Sequence, residues 1–276
     1  MNIKLVADSS ANLNQMAGKD FEAVPLKILV GDREFTDNEA LDVPEMFKAL
    51  KAYKGKTSTS CPSVQDWMSA FEDADVVFGT AITSGLSGCY NAAKIAAEEY
   101  MEAKPGAKVF ILDSLSAGPE LELFMEKYQE LIDAGKNFEE IREEIQAYAA
   151  RTHLAFSLAS LDNFAKNGRV SPAVAAAVGL LGIRIVGKAS DEGTLEPMHK
   201  CRGEKKALQQ VLTNMKEMGY VGGKVRIAHS YNEEGAQKLA ELISAQFPGS
   251  DIGIRLNRGL CGYYAEEGGI LIGFEG

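Results

Sequence analysis

The sequence has little positive charge for its size and no long apolar run. It carries 29 Lys and Arg residues against 39 Asp and Glu residues, for a formal net charge of -10. Nucleic acids are bound by basic faces, so this balance argues against a nucleic-acid partner. No apolar run reaches the roughly 18 residues of a membrane-spanning helix, and the first residues turn polar too early for a secretory signal. We therefore expect no transmembrane segment.

Residues for metal and redox chemistry are scarce. The four cysteines lie far apart, and neither they nor the three histidines (His153, His199 and His229) form a C-x-x-C or H-x-x-x-H pattern. We therefore expect no metal site, and we expect reduced thiols in a cytoplasmic protein. His229 and Ser230 could form a Ser–His pair, but no G-x-S-x-G motif supports a nucleophile, and a structural histidine is the alternative.

One segment matches a nucleotide-binding motif only in part. Residues 182–188 fit the first seven positions of the P-loop pattern, but Ala189 stands where a magnesium-binding hydroxyl is needed. The β-branched residues inside the segment favour a strand over a phosphate-binding turn. No G-x-G-x-x-G motif follows a strand elsewhere. We therefore expect neither a nucleotide site nor a dinucleotide site.

The first half of the chain alternates between strand and helix patterns. This alternation predicts an α/β domain with a mainly parallel sheet covered by helices. The predicted strands are 3–7, 24–30, 75–82 and 108–112, and the predicted helices include 44–53, 119–134 and 138–150.

The second half has a different pattern. Paired strands at 182–187 and 194–198, with later strands and helices mixed, predict an α+β domain with a mixed or antiparallel sheet. Residues 172–181 form a predicted helix rich in small residues. We expect the domains to be 1–150 and 151–276, with the boundary near Ala150.

Four loops rich in Ser and Thr follow or precede predicted elements of the first half. The carboxyl ends of parallel strands meet at one edge of a sheet, where ligands bind. Hydroxyl groups and free N–H groups at helix starts suit a carboxylate or a phosphate. Ordinary helix capping is the alternative for any single loop. The loops are Asp8–Ser10, Thr57–Ser63, Thr83–Gly88 and Asp113–Ser114.

Five motifs in order carry a family resemblance. Together they resemble the DegV family of fatty-acid-binding proteins, over nearly the whole chain from Lys4 to Phe274. The motifs are Asp8–Ser10, Thr59–Ser63, Ser84–Tyr90, Asp113–Ser114 and Leu161–Ser171.

The resemblance implies a two-domain EDD fold, related to the sugar-binding part of dihydroxyacetone kinases, and a function. It implies a non-catalytic lipid-transport protein without a cofactor, whose ligand is a long-chain fatty acid such as palmitate. A separate fatty acid kinase would convert the bound acid into an acyl phosphate. The family pattern assigns the carboxylate to Thr59 and Ser84, with Ser60 and Ser87 nearby. Arg169 and Arg202 match positions for a partner or phosphate contact.

The chain departs from the family at the head-group site. Tyr264 stands where the family has a histidine, and Cys61 replaces the usual glutamine before proline. A tyrosine hydroxyl can donate a hydrogen bond to a carboxylate, but it cannot become cationic. The small-residue helix over 173–181 is a candidate tunnel wall, with tight helix packing as the alternative.

Three functions remain open from the sequence. The first is a fatty-acid carrier. The second is a phosphotransferase or hydrolase acting on a small anionic substrate, for which the sequence supplies no convincing nucleophile. The third is a regulatory protein that senses acyl chains.

Overall fold

The first half of the chain folds around a parallel sheet. The structure is a computed structural model, and it describes residues 2–176 and 182–276. The strands of this half are β1 (Ile3–Asp8), β2 (Asp20–Val24), β3 (Lys27–Val30), β4 (Arg33–Thr36), β5 (Thr57–Ser60), β6 (Val76–Ala81) and β7 (Lys108–Asp113). Its helices are α1 (Val43–Ala52), α2 (Val64–Phe71), α3 (Cys89–Ala103), α4 (Pro119–Asp133) and α5 (Phe138–Ala149), with a 3-10 helix at Ser9–Ala11.

Helices cover both faces of this sheet. The strand order is β2-β1-β6-β7, and every pairing is parallel. Val6 and Val77 point into a core with α2 and α3, whereas Leu5 and Phe78 point into a core with α4 and α5. Strands buried on both faces are typical of parallel sheets. The predicted α/β architecture of this half is confirmed.

The second half contains a six-stranded mixed sheet. Its strands are β8 (Thr152–Leu158), β9 (Ile183–Ala189), β10 (Leu195–Arg202), β11 (Lys224–His229), β12 (Asp251–Leu256) and β13 (Ile270–Glu275). Its helices are α6 (Asp162–Lys166), α7 (Pro172–Ala176), α8 (Glu204–Glu217), α9 (Glu233–Gln246) and α10 (Gly259–Ala265). The order is β10-β9-β8-β13-β11-β12, antiparallel except between β11 and β12. The predicted mixed sheet is confirmed.

The two faces of the mixed sheet have different partners. One face packs against α8 and α9 through a core that includes Val186, Ile272 and Phe274. The other face lies toward the first half, and at Gly273 it contacts the start of α4. A Cβ at Gly273 would lie only 2.4 Å from the backbone nitrogen of Glu120. The absence of a side chain there lets α4 touch the sheet.

The predicted elements and the structure differ in several places. The predicted strand 24–30 is two strands in different sheets, because β2 ends before Pro25 and β3 begins after it. The predicted loop 57–63 begins as β5, since it pairs with β3. Strand β4 and helix α10 were not predicted. Of the predicted helix 172–181, α7 is described, and residues 177–181 lie outside the described residues. The partial P-loop match forms β9, as its β-branched residues predict.

Candidate functional site

A cavity of about 420 Å³ lies between the two halves of the chain. This volume falls within the roughly 300–1,000 Å³ that is usual for ligand pockets. Most of its lining is apolar, and a smaller set of hydroxyl groups gathers at one edge. The larger aliphatic residues and phenylalanines of the lining are Leu26, Ile82, Leu86, Leu154, Phe156, Leu158, Phe164, Leu195, Leu260 and Leu271.

The mixed sheet supplies the floor of this cavity. Leu154, Phe156 and Leu158 alternate along β8, so their side chains point to the same face of the sheet. The residues between them, such as Ala155, point to the core beneath α8 and α9. Alternate residues of β8 therefore face the cavity on one side of the sheet and the core on the other.

The hydroxyl edge of the cavity is built from β5 and α10. Thr59 Oγ1 lies 2.9 Å from Tyr264 Oη, and both residues line the cavity. Ser60 and Ser87 line it as well. Strand β5 thus places its hydroxyls beside those of the loop that precedes α3. These groups can donate hydrogen bonds to a carboxylate.

A second hydroxyl pair lies behind the first. Thr57 Oγ1 lies 2.7 Å from Tyr263 Oη, which also accepts a hydrogen bond of 2.8 Å from Asn167 Nδ2. Thr57 and Thr59 are two residues apart on β5 and face the same side, opposite two consecutive tyrosines of α10. The second pair is buried and holds α10 against β5.

A buried carboxylate positions α10. Asp37 accepts hydrogen bonds from the backbone nitrogens of Gly259 at 3.0 Å and Leu260 at 2.8 Å, at the first turn of the helix. Burial raises the pKa of Asp37, and these backbone donors oppose that effect. An acidic group at a helix start is favourable because the unpaired N–H groups point toward it. The first half of the chain thereby sets the place of Tyr264.

Tyr264 remains a neutral hydrogen-bond donor in this setting. Its ring packs against Phe164, with centroids 4.7 Å apart, and against Tyr263 at 4.9 Å. Burial raises the pKa of the Tyr264 hydroxyl, although its bond with Thr59 and the nearby charge of Arg169 act in the opposite direction. The hydroxyl therefore keeps its proton at neutral pH.

Arg169 crosses the edge of the cavity. Its Nε donates to the carbonyl oxygen of Leu86 at 2.7 Å, and its Nη1 donates to that of Asn167 at 2.6 Å. Arg169 is exposed and lines the cavity beside the hydroxyl edge. A cation next to neutral donors favours a negatively charged ligand head group.

The structure places two predicted site residues away from the cavity. Ser84 is exposed, and its backbone nitrogen donates to Asp113 Oδ1 at 3.1 Å. Ser84 lies outside the cavity lining. Thr83 and Ser87, from the same loop, are part of the lining. Arg202 is the exposed last residue of β10, and it also lies outside the lining.

Two other groups from the sequence have structural partners. The buried carboxylate of Asp8 accepts from the backbone nitrogens of Ser10 at 2.9 Å and Ile82 at 2.6 Å. His229 Nδ1 accepts from the nitrogen of Asn232, and Ser230 Oγ accepts from Asn257. Burial lowers the pKa of His229. These contacts favour the structural alternatives for both groups.

Sequence reasoning missed the groups that support the site. Tyr263 and Asp37 were not singled out, and Thr57 and Thr83 stood only as the first residues of two hydroxyl-rich loops, without a role of their own. The alternation of the β-branched threonines with serines in Thr57–Ser60 was the available signal for a strand with both threonines on one face. Asp37 carried no such signal, because its partners on α10 are more than two hundred residues away in sequence.

The described residues offer neither a metal-binding cluster nor a membrane-spanning helix. Within residues 2–176 and 182–276, no cluster of three or more His, Cys, Asp or Glu side chains could hold a metal ion. Over the same residues, the helices are too short or too polar to cross a membrane. All four cysteines are free thiols, and Cys61 is the exposed one.

Comparison with known proteins gives consistent matches over the full chain. A sequence model of the DegV family, described as uncharacterised proteins, matches residues 2–275. A DegV domain-containing protein of Streptococcus pneumoniae is 44% identical over 279 residues, covering 100% of this chain and 99% of that protein.

Two solved structures have nearly the same fold. The Streptococcus pneumoniae Fatty Acid Kinase (Fak) B3 protein loaded with linoleic acid gives a TM-score of 0.98 at 44% identity, over 100% of this chain and 99% of the other. A DegV family protein from Eubacterium eligens loaded with heptadecanoic acid gives a TM-score of 0.97 at 44% identity, over 99% of each chain.

Proposed function

Because this chain belongs to the DegV family, we propose that it binds a long-chain fatty acid in the cavity between its two halves. One observation carries the proposal: an apolar cavity of about 420 Å³ ends at a cluster of hydroxyl groups. The structures loaded with linoleic and heptadecanoic acids support the choice of ligand.

The apolar wall supplies most of the affinity in this proposal. Burial of about fourteen methylenes of a palmitate-sized chain, at about 0.8 kcal/mol each, contributes on the order of 11 kcal/mol. Association and ordering remove several kcal/mol of this. The remaining free energy is enough for sub-micromolar binding without a strong contact to the carboxylate. The hydroxyl edge then serves mainly to orient the acid.

The head group is assigned to the hydroxyl edge. Thr59, Ser60, Ser87 and Tyr264 are the proposed donors to the carboxylate, with Arg169 beside them. Ser84 was predicted for this role, but its exposed position leads us to assign the contact to Ser87. Neutral donors orient the carboxylate and leave it charged, so an oxygen stays available as a nucleophile.

We infer that the acid is carried for a separate fatty acid kinase. The name of the Streptococcus pneumoniae protein supports this inference. In this role the chain itself is not catalytic, and it presents the carboxylate for conversion to an acyl phosphate. The exposed arginines Arg169 and Arg202 are the proposed contacts to the partner or to its phosphate.

The finer assignments follow from the same proposal. We place the domain boundary near Ala150, between α5 and β8, with domains 1–150 and 151–276 of the EDD type. The four free cysteines support a cytoplasmic location for the lipid-transport role.

The ligand is tested by mass spectrometry of lipid extracted from the purified protein. A long-chain acid at one equivalent is the expected result. A protein that contains no acyl carboxylate and binds none on titration would refute the proposal and favour an enzyme of a small anionic substrate.

The head-group site is tested by Thr59→Ala combined with Ser87→Ala. We expect weaker fatty-acid binding and a fall in the free energy of unfolding of no more than about 2 kcal/mol, because Ser87 Oγ also accepts a hydrogen bond of 3.2 Å from the backbone nitrogen of Cys89 at the start of α3. Ser58→Ala is the matched control, because Ser58 lies on the same strand and faces away from Thr59. Unchanged affinity in the double variant would reject this site.

A further inference from the structure

Phe156 has unequal neighbours on the cavity floor. In the sheet register, it lies opposite Leu271 of β13 on one side and opposite Gly187 of β9 on the other. Leu271 fills its side with a side chain that also lines the cavity. Gly187 leaves its side open.

The ring of Phe156 occupies the space above Gly187. A Cβ at Gly187 would lie 2.5 Å from Phe156 Cζ and 2.8 Å from Cε2, which is far closer than carbon atoms pack. An aromatic side chain often covers a glycine on a neighbouring strand in this way. The ring therefore leans sideways along the sheet, and the cavity above it stays open.

Phe156 lies between the two ends of the β8 floor. Leu158, two residues further along, is the last residue of β8, and the chain continues from it into α6, whose Phe164 packs against Tyr264 at the head-group end. Leu154 lies two residues in the other direction. Each step of two residues along a strand is about 7 Å. The ring therefore faces the acyl chain away from its carboxylate.

We propose that Phe156, held over Gly187, sets the size of the acyl chain that this protein accepts. The inference rests on the proposed function, and it names a selectivity residue for that function. The ring is almost fully buried, so its orientation decides how much of the cavity remains for the ligand. A smaller residue at this position enlarges the space for the chain, and a larger one reduces it.

The test measures dissociation constants for a series of saturated fatty acids of increasing length. Phe156→Leu should move the preference to longer acids, with a gain of about fourfold in relative affinity for each additional methylene that the cavity accommodates. Phe156→Trp should move it to shorter acids, because the indole does not fit above Gly187 beside the backbone of Glu196. A Cβ on Gly187 would lie 2.3 Å from the Glu196 carbonyl oxygen.

Phe274→Leu is the matched control. Phe274 is fully buried in the same sheet but points to the opposite face, beneath α8 and α9. It should lose stability and keep the chain-length preference of the wild type. Phe156→Leu reduces the side-chain volume and introduces no steric clash. The test therefore remains decisive with this variant even if Phe156→Trp does not fold.

Two outcomes are distinguishable from the expected one. If Phe156→Leu binds fatty acids with the wild-type preference, to within about twofold, the role of Phe156 is refuted and the proposed function stands. If the wild-type protein binds no fatty acid of the series, both are refuted.

Discussion

Replacing Tyr264 with phenylalanine removes one hydroxyl from the head-group site and little else. The lost oxygen lies 2.9 Å from Thr59 Oγ1. The phenylalanine ring keeps the packing that Tyr264 makes with Phe164 at 4.7 Å. Because Tyr264 lines the cavity and is half-buried, the change acts on the ligand more than on the core.

The expected loss follows from the donor that the carboxylate would lose. A hydrogen bond to a charged acceptor contributes roughly 1.5–3 kcal/mol. Since about 1.4 kcal/mol is tenfold in affinity, Tyr264→Phe should weaken fatty-acid binding by about 10- to 100-fold. Thr59 is half-buried and can bond to water, so the free energy of unfolding should fall by no more than about 1 kcal/mol.

Tyr263→Phe is the matched control on the neighbouring residue. The Tyr263 hydroxyl is bonded to Thr57 at 2.7 Å and to Asn167 at 2.8 Å, and Tyr263 is fully buried outside the cavity lining. Its removal leaves the buried Thr57 hydroxyl without this partner, which costs about 1–3 kcal/mol. This variant should therefore lose stability and keep its affinity.

Isothermal titration with a long-chain acid and urea denaturation without ligand separate these two effects. The reasoning predicts opposite profiles for the two variants. Wild-type affinity in Tyr264→Phe would refute the assignment of the carboxylate to this hydroxyl. A tenfold loss of affinity in Tyr263→Phe would show that α10, and not the hydroxyl of Tyr264, limits binding.

Two further predictions concern stability. Burial raises the pKa of Glu120 from 4.5 to about 7. As pH rises, the unfolded chain therefore loses this proton before the folded protein does. The free energy of unfolding should fall by up to about 3 kcal/mol between about pH 4.5 and 7. Glu120→Gln should remove this part of the fall in urea denaturation, and an unchanged pH profile would contradict it. Arg226 bonds Glu126 through Nε at 2.6 Å and Nη2 at 2.8 Å, which ties β11 to α4. Arg226→Met should cost roughly 1–3 kcal/mol in denaturation experiments, because Glu126 is partly exposed and keeps Lys224 Nζ at 3.0 Å. Arg226→Met with Glu126→Leu should cost less than the sum of the single changes, and additive losses would count against a coupled pair.

The local pattern was sufficient for most of the regular elements. Strands β11 and β13 follow short apolar runs, and helix α9 follows a run with a period of 3.6 residues. The pattern was insufficient where pairing partners are remote. Thr57–Ser60 has the composition of a loop, and it becomes β5 because β3 offers free backbone groups beside it.

The residues of the candidate site could also be predicted in part from the sequence. Hydroxyl-rich segments and the family motifs pointed to Thr59, Ser60, Ser87 and Tyr264, which all line the cavity. The family motif, however, assigned the carboxylate contact to Ser84, which lies outside the lining, and gave Ser87 only as a neighbour. Which serine faces inward depends on how the loop folds against the hairpin of β9 and β10, and sequence spacing does not contain that information.

The amino-acid sequence by itself determined the α/β first half, the mixed second half and the presence of hydroxyl groups near the ends of the parallel strands. These features depend on the hydrophobic period and on residue type, which are local properties. Only the tertiary structure decided that two tyrosines of α10 meet two threonines of β5 and that the ring of Phe156 lies over Gly187. Those contacts join residues remote in the chain, and they arise from the packing of one half against the other and from the register between strands.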